Sequence, residues 1–164
     1  MSFQLEDIDN YFETLAIANK LSKHTVDGRK SFYPLTQKES SALPTNAASP
    51  YLAITSYSGA YAGDAYQQDK KVSINIQFLH KAKTTSEADK EEAFTIAETL
   101  MDQFVSKMRL DAADAGICFW LSLINFGRMS YERIGPVGQQ DFGYELNIPI
   151  TIDSPEYDVN NWEV

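Results

Sequence analysis

The chain has 164 residues, 43% of them hydrophobic, which excludes disorder along its whole length and allows one sizeable core. A formal net charge of −9 excludes a nucleic-acid reader built on clustered Lys and Arg, and an anionic membrane surface as partner. The plain meaning of such a charge is solubility.

Taken in order, the first predicted element is a helix from Phe3 to Leu21. Leu5, Ile8, Phe12 and Leu15 form its apolar stripe, Tyr11, Ala16 and Leu21 flank it, and Asp7, Asp9 and Glu13 fall on or near the opposite face. Helices this short gain most of their stability from packing, so the stripe must lie on the chain's own sheet or on a neighbouring subunit. Residues 22–50 read as irregular, with an Asp27-Gly28 turn and a short strand at Ser31-Phe32-Tyr33 that Pro34 confines to a sheet edge. Tyr51 to Ser56 alternates as a strand. Ser58 to Lys71, with Gly59, Gly63, Asp64, Asp69, Lys70 and Lys71, reads as a flexible connection that carries Tyr61 and Tyr66, with Tyr57 just before it. Val72 to Phe78 is a clear strand, with Val72, Ile74, Ile76 and Phe78 on one face.

The strongest signal is Ser86 to Arg109. Ser86 followed by Asp89 is a capping-box pattern, Glu91 and Glu92 sit in the opening turns, and Lys107 and Arg109 sit near the end, all in accord with the helix dipole. Ala93, Ala97, Leu100, Phe104 and Met108 recur at helical steps, widened by Phe94, Met101 and Val105, and neither Gly nor Pro interrupts them. At ~1.5 Å per residue such a helix is roughly 36 Å long, enough to cross a small sheet. Ile117 to Ile124 is almost continuously apolar and predicts a strand covered on both faces, continuing toward Phe126. Met129, Tyr131 and Ile134 resume alternation, and Gly135-Pro136-Val137-Gly138 closes that ribbon. Phe142, Tyr144, Leu146, Ile148, Ile150 and Ile152 then define the clearest strand, with a free edge expected at Pro149, which cannot donate to a ladder. Residues 153–164 form an acidic tail. The whole chain, residues 1–164, therefore reads as a single α+β domain: a two-layer sandwich in which one long helix covers a mostly antiparallel sheet of about four strands, with an N-terminal helix added.

No chemical signature accompanies this pattern. His24 and His80 lack the spacing to a second His, Cys or carboxylate that a zinc site needs, and solvated roles are expected for both. Cys118, the one cysteine, cannot form an internal disulfide; its apolar setting predicts a small buried hydrophobe, not a nucleophile. The pairs Asp111/Asp114 and Glu91/Glu92 sit where turn and helix-start chemistry already favours carboxylates, so solvated roles are expected there too. There is no phosphate loop and no dinucleotide fingerprint. The expectation is a non-enzyme with no cofactor, no metal and no catalytic residue. The start of the chain lacks a secretory pattern, and no apolar run approaches ~18 residues, so a cytoplasmic setting without a membrane span is expected.

A resemblance covers roughly Tyr51 to Trp162. It rests on the strand Val72 to Phe78, the long helix, Met129-Ser130-Tyr131-Glu132-Arg133-Ile134-Gly135-Pro136, the strand opening Gly143-Tyr144-Glu145-Leu146-Asn147-Ile148-Pro149-Ile150, and Asp158 and Trp162 in the tail. In these features the chain resembles the small tail-terminator or head–tail connector proteins of tailed phages and prophages. The resemblance implies a structural protein of virion assembly that forms a ring at the end of a tail tube, in the particle or in the cytoplasm where it is built. Its partners would be tube or connector subunits and copies of itself, with no sequence-specific nucleic acid. The candidate interface residues are Tyr57, Tyr61 and Tyr66, with Arg128 and Arg133 as second choices, because aromatic and Arg side chains anchor protein interfaces. Two other readings stay open: a non-catalytic protein-binding adaptor of similar fold, and a small-molecule enzyme using scattered carboxylates and tyrosines.

Overall fold

A computed structural model of the chain describes residues 4–35, 47–63, 68–114, 116–138 and 140–153. Helix α1 spans Leu5–Ala18, and strand β1 is Phe32–Tyr33. Strands β2 (Tyr51–Gly63) and β3 (Gln68–Lys81) precede helix α2 (Glu87–Ala112). Two short 3₁₀ turns, Phe119–Leu123 and Phe126–Arg128, lead to β4 (Ser130–Val137) and β5 (Asp141–Asp153). The fold is α+β, with helices over a five-stranded mixed sheet of order β1-β2-β3-β5-β4. Only the β1–β2 pair is parallel.

Helix α2 is the element the core is assembled around. The Ser86 hydroxyl accepts from the Asp89 amide at 3.2 Å, so the expected N-cap is made. Ala93, Ala97, Leu100, Met101, Phe104 and Met108 are all buried, which is the predicted stripe. Beneath them, cross-strand rows carry Leu52–Phe78–Tyr144, Ile54–Ile76–Leu146 and Tyr57–Ile74–Ile148 across β2, β3 and β5. Gly143 lets the layers meet: a Cβ there would lie 1.9 Å from the Phe78 carbonyl oxygen and 3.0 Å from the Ala97 methyl. Helix α1 packs within its own chain. Phe12 stacks on Phe104 at 6.4 Å, and Tyr11 meets Trp120 edge-on at 5.4 Å.

Two sequence expectations are corrected. Ile117 to Ile124 is not a strand. Trp120, Leu121 and Ile124 point inward while Phe119 and Ser122 face out, and residues 119–123 wind as a 3₁₀ turn packed on the core, followed by an isolated Ile124–Ile150 bridge to β5. A continuous apolar run fits a strand or a buried helical turn equally, and here the nearest β5 edge is already taken by β4 as far as Asn147. Nor is Ser58 to Lys71 a loose connection: Ser58–Gly63 is paired residue for residue with Ser73–Gln68. Its Ser, Gly and Ala residues carry no alternation because backbone hydrogen bonds, not buried side chains, define that arm. The short edge strand foreseen at Ser31-Phe32-Tyr33 is present as β1, and it makes the sheet five-stranded. Pro149 sits beyond the reach of β4, and the Asn125 amide donates to its carbonyl at 3.0 Å.

The sheet face turned away from the helices is polar along its middle. Ser73, Asn75 and Gln77 of β3 lie beside Glu145 and Asn147 of β5. Asn147 donates to Ser73 and Asn75, and Gln77 donates to Glu145 at 2.8 Å. A buried apolar cluster stands at one end of this face, where Tyr51 and Leu79 pack with Tyr33, Ile134 and Val137.

Candidate interaction surface

Both ends of the sheet present open edges. On one side β1 pairs with β2 only at Leu52 and Ala53, so among the described residues no strand lies beyond β2 from Ile54 to Gly63. On the other side no strand lies beyond β4 among the described residues. The two edges occupy opposite halves of the sheet. Residues 130–134 and 137 of β4 lie beside residues 141 and 143–147 of β5, whereas the open part of β2 lies beside residues 68–76 of β3, which pair with β5 from Leu146 outward.

Of the predicted interface residues, Tyr57 and Tyr61 lie on β2 and Arg133 on β4. Tyr61, on β2, is 67% exposed and pairs across with Lys70. Tyr57 lies on the same helix-side face, but it is half-buried against the core beside Ile74, so only part of its ring is free for a partner. Tyr66 lies outside the described residues. Arg128 is exposed at the end of the second 3₁₀ turn. Arg133, on β4, is already engaged: it bonds Glu91, and its guanidinium lies 3.4 Å from the centre of the Phe94 ring, tying β4 to α2. Sequence reasoning passed over Tyr131. It was counted as part of an inward alternation, yet it is 59% exposed on β4 and rests edge-on against Tyr144 at 5.8 Å. The signal available was its neighbours: Ser130, Glu132 and Arg133 surround it with polar residues.

The titratable groups have structural partners. His24 is buried, contrary to the solvated role expected for it. Its Nδ1 accepts from the Ser31 amide at 3.1 Å, its Nε2 lies 3.5 Å from Glu13, and the chain after α1 folds back around it through Ser22 and Ser31. His80 is half-buried, and its Nδ1 shares a 2.6 Å hydrogen bond with the Ser49 hydroxyl, which also accepts from the Lys81 amide at 2.9 Å. Burial lowers its pKa. Through these two bonds Ser49 ties the start of β2 to the end of β3. Asp111 is buried too, again unlike the expectation; it accepts from the Tyr11 hydroxyl at 2.9 Å and pairs with Lys107, while Asp114 is exposed. Cys118 is partly buried beside the core, and burial raises its pKa, helped by Asp111 and Asp7. A raised thiol pKa leaves little thiolate at neutral pH.

Two shallow clefts of about 510 and 480 Å³ run along the α1–α2 junction, sharing Leu15, Ala18 and Lys107. The first is lined by Leu21, Gln103 and Phe104, and the second by Asp7, Asn10, Tyr11, Asp111 and Cys118, where the Tyr11 hydroxyl and Lys107 are bonded to Asp111. No group of three or more His, Cys, Asp or Glu able to hold a metal occurs among the described residues, and no helix there is long and apolar enough to cross a membrane. No protein-family model matches the chain, and a search of curated proteins finds no match.

Proposed function

We propose that this chain is a non-catalytic assembly protein of a phage-like tail, a terminator or connector that works by joining copies of itself and docking on a tube. The observation that carries this reading is the pair of unlike open edges at opposite ends of one sheet. A ring needs each subunit to offer two different surfaces, one for each neighbour, because identical surfaces close a dimer and stop. Tyr61 on one edge and Tyr131 on the other are exposed aromatics of the type that anchor interfaces. The net charge of −9 suits a conduit that lets DNA pass without holding it.

The test is mass measured across concentration, alone and co-expressed with a candidate tube protein, followed by electron microscopy. Rings in solution, or particles capped at the tube end, are the expected result. A monomer at every concentration that never joins the tube would transfer the reading to a protein-binding adaptor, which the single long edge of β2 also suits.

A further inference from the structure

We infer that the open edge of β2, Thr55–Gly63, pairs with the outer edge of β4, residues 130–134, of a second copy; this names the joint of the assembly proposed above and rests on that reading. An unpaired strand edge is a row of backbone donors and acceptors ready for another strand, and proteins that keep such edges solitary blunt them with charge, proline or bulges. From Ser56 to Gly63 the β2 edge carries no charged residue and no proline, and its one irregularity lies before that stretch, at Thr55. Strand β4 is only partly blunted. Pro136 and the register break between Ile134 and Val137 spoil its far end; within Ser130–Ile134 the charges are Glu132 and Arg133, and Arg133 is turned onto Glu91 and Phe94 of its own chain, which leaves the backbone edge able to pair.

Three features select β4 of a neighbour over a second β2. Tyr131 pairs beside Leu146 and Tyr61 beside Lys70, in the rows that face the helices, so a sheet continued from one copy to the next puts both exposed rings on one face. Cross-strand aromatic pairs of this kind stabilise sheets. On the opposite face Glu132 sits directly across from Glu145, an unfavourable like-charge pair within one copy. The β2–β3 arm of a neighbour would bring exposed Lys71, which shares that face with Ala60, toward the two carboxylates. Finally, β2 against β2 would be a symmetric joint that leaves Tyr131 uncovered and cannot propagate.

The test uses the full-length chain in a Cys118→Ser background. Single cysteines at Ser56, Ser58 or Ala60 are mixed, under mild oxidation, with single cysteines at Ser130 or Glu132; all five positions share the face away from the helices. The expected result is a disulfide between a β2 cysteine and a β4 cysteine of different chains. In parallel, Ser58→Lys should reduce the assembled fraction at least tenfold while circular dichroism and melting remain those of the parent. Disulfides only between like positions would overturn the inference in favour of a symmetric joint. Assemblies that form normally with Ser58→Lys and give no β2–β4 disulfide would overturn it while leaving the assembly reading in place. A monomer under all conditions, tube protein included, would overturn both.

Discussion

Among the described glycines, Gly143 is the most closely packed. Its α-carbon hydrogen faces a carbonyl on β3 and a methyl on α2, with no room for a third substituent. Gly143→Ala would force apart two backbone layers that cannot yield as a side chain does, and it should cost at least about 3 kcal/mol, read as a denaturation midpoint. The sequence offered Gly143 only as the opening of a strand; its packing role depends on Ala97, 46 positions earlier, and no local pattern reveals such a meeting. Tyr51 carries a different cost. Its side chain is fully buried with the hydroxyl beside Asp141, and burial first, then that carboxylate, raises its pKa strongly. In the unfolded chain a tyrosine releases its proton near pH 10, whereas in the folded chain Tyr51 retains it to higher pH. Above that point the folded state binds more protons, so stability falls as pH rises. Melting temperature should therefore drop more steeply from about pH 9 to about pH 11 in the parent than in Tyr51→Phe. Parallel slopes would place the loss elsewhere.

At the scale of elements, helix α2 was legible nearly to its ends because several independent signals coincide in it: cap, charge gradient, period and freedom from breakers. Phe104 sits at the centre of that stripe, stacked on Phe12 and edge-on to Phe78 at 5.5 Å. Phe104→Ala should destabilise by about 3–5 kcal/mol, and thermal melting checks it. A loss under about 1 kcal/mol would mean that the helix is not seated as described. Elements that rely on one signal were misread. The run from Ile117 to Ile124 had hydrophobicity without period, and its conformation was decided by which edge of β5 remained open. The outer arm of β2 and β3 had neither signal, because pairing there rests on the backbone. His24 shows the same limit for side chains: its burial comes from Ser31 folding back across seven residues, not from its neighbours in sequence.

For the whole molecule, the architecture was legible, and the exposure of the candidate residues only in part. Tyr61 is exposed, as a place in a loop would make it, but the segment expected to be that loop is a sheet arm. Arg133 looked free in sequence, and it is spent on Glu91 and Phe94, contacts made across 42 and 39 positions. The arm itself has a consequence in time. Along Ser58–Gly63 the residues are mostly exposed, and their hydrogen bonds to β3 lack the apolar cover that Leu52 and Ile54 enjoy. Bonds so placed open by local fluctuation, without global unfolding. Amide hydrogens of residues 58–62 and 69–71 should then exchange with deuterium at least about a hundredfold faster than those of residues 74–78, a gap of about 3 kcal/mol in opening free energy. An isolated subunit would carry a breathing arm on a still core, and capture by a neighbour would register as a slowing of exchange in that arm alone.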